Sequence, residues 1–187
     1  MKPAIQTSRL SFRDFTVDDY DAVHAYGSDP DVTRYTAFGP NTPEQTKGFL
    51  QFVSGESSQT DRATYSFALI HKQTNKLIGS CGLRRTDTTG PQYSLGYVLH
   101  KDWWRQRLAS EAIGALIKFG FDELRAHRLW AHVFLGNTAS ERLLQKLGFR
   151  YEGCALKAFF VREAWHDLQT FGMLRSEWQK RLGAVGL

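Results

Sequence analysis

A mixed, mostly antiparallel sheet with helices on its faces is the fold class this sequence predicts, an α/β (α+β) arrangement. Three observations carry it. Short alternating segments bounded by turn residues recur along the chain, three of them in direct succession at "TYSFALIH", "KLIGSCGLRR" and "YSLGYVLH", which is the pattern of a meander. The stretch from Tyr93 to Glu123, followed by a strand at Arg128, reads as strand, turn, helix, strand, which is a parallel crossover. The chain then closes on two further alternating segments with no helix between them, a hairpin.

Taken in order, "RLSFRDF" (Arg9 to Phe15) alternates and predicts the first strand. Thr16 opens "TVDDYDAVHAY", where Thr and Asp three residues apart form a capping pattern ahead of a helix. The spacing predicts that "SDPDVTRY" breaks this helix at Pro30. A second helix begins at "NTPEQTKGFLQFV", with Thr42 as N-cap, Pro43 in the first helical position and Gln45 completing the box. After the meander, with turns at "KQTN" and "TDTTGPQ", "ASEAIGALIKFGFDEL" places Ile113, Leu116, Ile117, Gly120, Phe121 and Leu124 on one helical stripe. "RLWAHVFL" is a strand. "NTASERLLQKLG" is a short helix, boxed by Thr138 and Glu141 and stopped by Gly148. "FRYEGCALKAFF" and "WHDLQTFGMLR" are the closing antiparallel strands.

At 187 residues the expectation is one domain spanning 1–187. The 42% hydrophobic and 13% aromatic content suits a packed globular core. Cys81 and Cys154 stand in no metal-ligand or disulfide spacing, so no metal is expected. No run approaches a membrane span and the first residues lack a signal-peptide core, so the expected location is cytoplasmic. The net charge of +5 could serve nucleic acid, an anionic cofactor or nothing in particular, a solvated surface being the commonest reading, and "RAHRLW" is too short for a nucleic-acid surface. No phosphate-loop, dinucleotide, zinc-protease or nucleophile-elbow motif is present, which excludes those classes.

"WWRQRLASEA" (Trp103 to Ala112) is the stretch with chemistry in it. A turn from a strand into a helix N-terminus leaves amide N–H groups unpaired with a partial positive charge behind them, an anion site. Leu108 is expected to pack inward, while Ala109 and Ser110 are small enough to admit a phosphate.

From this point the sequence resembles the GNAT (Gcn5-related) N-acetyltransferases, and among them the RimJ/RimL-like group. The resemblance runs through "TSRLSFRDFTVDDYDAV", "SDPDVTRY", "LIGSCGLR", the long segment from "SLGYVLHKDWW" to "KLGFRYEG", and "AFFVREAWHD". It implies a GNAT fold with a splayed central strand pair and acetyl-CoA as cosubstrate. It places the pantetheine along Val98 and Leu99, the pyrophosphate on Arg105, Gln106, Arg107, Leu108, Ala109 and Ser110, and a hydrogen bond to the pantetheine arm at Asn137. The Leu99 N–H would face the developing oxyanion, and Ser140 the thioester sulfur, as proton donor or merely as a satisfier of helix-end amides. Tyr35, Phe38, Trp165 and Asp167 would line the acceptor mouth, unless the last two only hold the hairpin.

Two departures from the group stand out, one in the loop and one at the expected base. Arg105 and Arg107 stand where glycines are usual; forcing them into left-handed geometry costs on the order of 1–2 kcal/mol, against the gain of charged, forked donors beside a pyrophosphate. Ser94 replaces a glutamate that serves many relatives as base, which tilts the expected acceptor toward α-amines, with a pKa of about 8, over lysine. His71, His100, His127 and His132 are each more often structural than basic, and Trp103 and Trp104 are expected to pack the loop. The implied activity is direct acetyl transfer to a primary amine, a protein N-terminus or a small molecule, through a tetrahedral intermediate. The alternatives are a catalytically impaired CoA-binding module and, more remotely, a nucleic-acid-binding protein. A homodimer is left open, and no membrane or nucleic-acid partner is expected.

Overall fold

In the computed structural model, residues 5–59, 61–86 and 90–185 are described. Two compact units divide the chain, Met1–Arg84 with Gly96–Leu116, and Arg85–Leu95 with Ile117–Leu187.

The first unit holds β1 (Leu10–Arg13), β2 (Thr64–His71), β3 (Lys76–Arg85) and the second half of β4 (Gln92–Leu99). β1 pairs antiparallel with β2 from Leu10↔His71 to Arg13↔Ala68, and β2 pairs antiparallel with β3. The β2–β3 turn is the expected "KQTN": Asn75 takes φ 54° and donates its N–H to the His71 carbonyl at 2.8 Å, a left-handed conformation asparagine tolerates. β3 meets β4 through the His100 N–H on the Ile78 carbonyl at 2.9 Å.

Helices α1 (Tyr20–Gly27), α2 (Pro30–Thr33) and α3 (Pro43–Ser57) follow β1. The box at Thr42 and Gln45 forms as the spacing predicts, with both reciprocal bonds made. Pro30 does not simply break the chain. It occupies the first position of α2, capped by Asp29, whose carboxylate accepts the Asp31 N–H. Proline lacks only the N–H that a first helical residue leaves unused. Apolar stripes of these helices bury Val23, Tyr26, Leu50 and Val53 with Ala68, Ile70 and Val98 of the sheet. Each Val, Leu or Ile side chain among them contributes roughly 1.5–3 kcal/mol on burial. Arg62 and Asp14, both nearly buried, make a two-pronged ion pair at 2.8 and 3.0 Å; such a pair mainly specifies geometry, since desolvation offsets much of its attraction.

The second unit contains the first half of β4, then β5 (Arg128–Phe134), α5 (Thr138–Leu147), β6 (Arg150–Val161), β7 (Ala164–Leu174) and α6 (Arg175–Val185). β4 and β5 pair in parallel over Gln92↔Arg128, Tyr93↔Leu129 and Ser94↔Trp130. β5 pairs antiparallel with β7, and β7 with β6 at the edge. The crossover and the closing hairpin therefore form where the pattern places them. Part of the "TDTTGPQ" turn lies outside the described residues. α4 (Leu108–Asp122) runs from one unit into the other, with Ile113, Leu116, Ile117 and Phe121 of the expected stripe at most 1% exposed.

Two readings of this part need correction. Asn137, not Thr138, caps α5: its side-chain oxygen accepts the Ser140 N–H at 3.3 Å, and Thr138 is the first helical residue. Helix α6, carried by "RSEWQKRLGAV", was not anticipated. Its weak amphipathicity gives little periodic signal; it is placed by tertiary contacts, Trp178 stacking on Phe121 at 6.0 Å and Glu177 accepting the Leu174 N–H at 2.8 Å.

Candidate functional site

In the first unit, β4 ends in a loop of defined shape. The His100 N–H points to β3, and main-chain direction alternates along a strand. Val98 therefore presents its N–H and carbonyl to β3, and Leu99 presents its own to the opposite edge. There the Leu99 carbonyl accepts the Trp104 indole N–H at 2.9 Å. Lys101, in the turn that follows, reaches Asp29 at 2.7 Å. Trp103 packs on His71, ring centres 4.6 Å apart, and His71 also meets the Thr74 hydroxyl at 3.1 Å.

Arg105 and Arg107 then adopt φ 60° and 62°. Both are left-handed, the geometry that glycine takes without strain. Gln106, between them, donates its side-chain amide to the Asp102 carbonyl at 3.0 Å. Leu108 is buried as expected, at 1% exposure, while Ala109 and Ser110 are half-buried and open the first turn of α4. Main-chain amides of such a first turn have no acceptor within their own helix, and they face the positive end of its dipole.

The residue that sequence reasoning missed is Glu111. Its carboxylate accepts the Thr7 hydroxyl at 2.5 Å, the Ser8 hydroxyl at 3.0 Å, the Arg9 N–H at 2.8 Å and the Arg9 Nε at 2.7 Å. Arg9 Nη1 continues to the Gln106 carbonyl at 3.0 Å. Burial works to raise the Glu111 pKa, but the donors from Thr7, Arg9 and Ser8 outweigh it and hold it at about 2. Only a contact about a hundred residues away in sequence reveals this, although the acidic residue in a first helical turn was a visible hint. Because the folded pKa lies below the ordinary value of 4.5, ionised Glu111 stabilises the fold above pH 4.5, and that contribution is lost as pH falls toward 2. With allowance for solvent screening it amounts to about 2 kcal/mol. Unfolding free energies from denaturant titrations at pH 5 and pH 2.5 are expected to fall by most of that amount more in the wild type than in Glu111→Gln.

The second unit carries the other predicted groups. Asn137 and Ser140 come together at the start of α5 through the capping bond, and Ser140 is half-buried. Ser94 is half-buried and stands in register with Trp130. Two residues on, His132 sets its ring edge to Trp130 at 4.6 Å, and partial burial lowers its pKa below 6.5. Trp165 is 61% exposed and leans on Phe160, ring centres 5.2 Å apart. Asp167 accepts the Lys157 N–H at 2.7 Å, where β6 bulges and Lys157 has φ 48°. Of the two roles open to Asp167, holding the hairpin is the one this bond performs.

Tyr35 and Phe38, in the first unit, lie in the segment after α2, Tyr35 beneath the Arg34 guanidinium at 5.2 Å and Phe38 at 40% exposure. His100 accepts the Asp102 N–H through Nδ1 at 3.2 Å, a local turn bond, and His127 is exposed. Among the described residues no group of three or more His, Cys, Asp or Glu could hold a metal ion. No described helix is long and apolar enough to cross a membrane.

Against known proteins, a family model described as acetyltransferase (GNAT) domain matches residues 9–150. The uncharacterized N-acetyltransferase p20 of Bacillus licheniformis is 33% identical over 177 residues, covering 93% of this chain and 97% of that protein. A GNAT-family acetyltransferase structure from Bacillus anthracis superposes with a TM-score of 0.82 at 30% identity, over 93% of this chain and 99% of the other. The fold is also that of RimL, the ribosomal L7/L12 α-N-protein acetyltransferase solved with coenzyme A, at a TM-score of 0.80 and 16% identity, over 92% of this chain and 98% of that one.

Proposed function

The chain belongs to the GNAT acetyltransferase family, enzymes that move an acetyl group from acetyl-CoA to an amine, and from that premise we propose that it acetylates a protein N-terminal α-amine or a similarly weak small-molecule base, with Arg105–Ser110 as the pyrophosphate cradle. The observation that carries the cradle is the pair of left-handed arginines, φ 60° and 62°. The turn holds the backbone shape of a glycine loop although the residues are arginines. A strain of this kind persists where the surrounding structure imposes it.

Acetyl-CoA supplies the activated acetyl thioester. Main-chain N–H groups of the α4 first turn would hold its pyrophosphate, supplemented by the Arg105 and Arg107 forks. Leu99, whose main chain faces away from β3, would pair with the pantetheine and offer its N–H to the oxyanion, with Val98 backing it from the core. Asn137 would bind the pantetheine arm. The neutral amine attacks the thioester carbonyl, the C–N bond forms, the tetrahedral oxyanion collapses and the C–S bond breaks. Ser140 would hydrogen-bond the leaving thiolate and relay to it a proton taken up in the same step from water. With Ser94 in place of a carboxylate, the ammonium proton passes to water, which is adequate for an amine of pKa about 8. Tyr35, Phe38 and Trp165 are exposed or half-exposed aromatics, and with Asp167 they are the residues we assign to acceptor binding.

Calorimetry with acetyl-CoA, followed by thiol release with a panel of N-terminal peptides, amino-acid amides and polyamines, tests this. Binding in the micromolar range with turnover of α-amines is expected. Binding without turnover of any amine leaves a CoA-binding module, and no binding removes the cradle. Ser140→Ala is expected to lower kcat roughly tenfold to a hundredfold as lost acid catalysis, while acetyl-CoA affinity changes less than about threefold.

A further inference from the structure

Two arginines in left-handed geometry within three residues are an unfavourable arrangement, and something must hold it. Arg105, Gln106 and Arg107 are all exposed, and the loop's own side-chain restraint is the Gln106 amide on the Asp102 carbonyl at 3.0 Å. Further bonds that restrain it come from the start of the chain. Arg9 spans the loop and the helix together, Nη1 on the Gln106 carbonyl at 3.0 Å and Nε on Glu111 at 2.7 Å. The Glu111 carboxylate also gathers the Thr7 and Ser8 hydroxyls and the Arg9 N–H. The Arg107 carbonyl accepts the Glu111 N–H at 3.2 Å, so Glu111 fixes the loop's exit through its main chain as well as its side chain. The Thr7–Arg9 segment is anchored in turn: Lys72 donates to the Thr7 carbonyl at 2.6 Å, and the Lys72 N–H to the Arg9 carbonyl at 2.9 Å.

We propose that Glu111 and Arg9 are positioning residues for the cofactor loop: the Thr7–Arg9 segment is a strap, clasped by Glu111, that keeps Arg105 and Arg107 in the left-handed shape that receives the pyrophosphate. The assignment rests on the acetyl-CoA reading of that loop. Charge-assisted hydrogen bonds to a carboxylate are the stronger kind, and several of them converging on one group are what an over-determined strained segment needs. Glycines in the same positions would adopt this shape without strain, so the strap is required because of the arginines.

That dependence gives the test, a double-mutant cycle. Acetyl-CoA affinity is measured by calorimetry, and exchange at the loop's exit, where the residue 111 N–H is bonded to the Arg107 carbonyl, by hydrogen–deuterium exchange, in Glu111→Gln and in Arg9→Met. Each variant is made both in the wild-type loop and in an Arg105→Gly/Arg107→Gly loop. In the arginine loop, Glu111→Gln is expected to weaken acetyl-CoA at least tenfold and to speed loop exchange at least tenfold. In the glycine loop the same change is expected to cost less than about threefold. Arg9→Met leaves the three other donors on Glu111 in place and is expected to show the same pattern with smaller values, which keeps the test open if Glu111→Gln folds poorly. Equal losses in both backgrounds, or no change in loop exchange on either substitution, would overturn the strap. Wild-type protein that binds no acetyl-CoA would sink the cofactor reading alone, because loop exchange reports on the strap without ligand.

Discussion

Gly79→Ala is expected to destabilise the protein by about 3 kcal/mol, the overpacking cost of a forced core contact together with backbone strain. A Cβ built at Gly79 lies 2.2 Å from the Val98 carbonyl oxygen and 2.8 Å from the Leu99 Cα. Both are main-chain atoms of β4, so no side-chain rotation relieves the clash. Gly79 also has φ 156°, and it sits where the β2–β3 register shifts between Leu69 and Ile70. The alanine therefore either unfolds this corner or pushes β4 at the two residues assigned to the pantetheine. Urea midpoints should report the loss, and the melting temperature should drop by roughly 6–12 °C for a chain of this size. Acetyl-CoA affinity should fall with it. Gly48→Ala is the control: it lies in the exposed interior of α3 with nothing within 4 Å of the added carbon, and is expected to stabilise by about 0.5–1 kcal/mol. A Gly79→Ala protein as stable as the wild type would mean that β3 and β4 do not approach as closely as described.

Reversing the charge of the loop has the larger effect on binding. Arg105→Glu/Arg107→Glu is expected to weaken acetyl-CoA at least a hundredfold, about 3 kcal/mol, since two charge-assisted contacts are lost and two carboxylates face the phosphates. Wild-type affinity should decline as salt rises, and the decline should flatten in this variant. The glycine pair separates charge from shape. Arg105→Gly/Arg107→Gly relieves the left-handed strain of both residues, on the order of 1–2 kcal/mol each, and is expected to retain acetyl-CoA binding within about tenfold through main-chain N–H groups. An unchanged affinity after charge reversal would show that the arginines face solvent and that the anion site lies elsewhere.

Much of this arrangement is written in local sequence. Thr42, Pro43 and Gln45 build the start of α3 from their own spacing, because a capping box closes within one helical turn. Gly148 ends α5 at φ 99° for an equally local reason. The stripe from Ile113 to Phe121 and the alternation along β4 and β5 specify which faces are buried, and the strand-turn-helix order specifies the parallel crossover. The left-handed turn at Arg105 and Arg107 was also legible, as an expectation from glycine positions in a resembling family. Asn137 and Thr138 compete for the same cap, and a one-residue choice of that kind falls below what spacing resolves.

Other features exist only in three dimensions. Glu111 reads in sequence as one acid in a first helical turn; its four donors come from Thr7, Ser8 and Arg9, and only folding brings them to it. Asp167 reads in sequence as either an acceptor-mouth residue or a hairpin tie, and its bond to the Lys157 N–H depends on a bulge that pairing of β6 with β7 creates. Helix α6 lacks a strong apolar period and is secured by Phe121 and β7. The sequence by itself determined the family and every helix and strand with a cap or a clear period, α2 and α6 excepted, because caps, turns and periodicity act over a few residues. The tertiary structure decided what holds the strained loop and which polar groups are already engaged, because hydrogen-bond partners distant in the chain become neighbours only when the sheet and helices have packed.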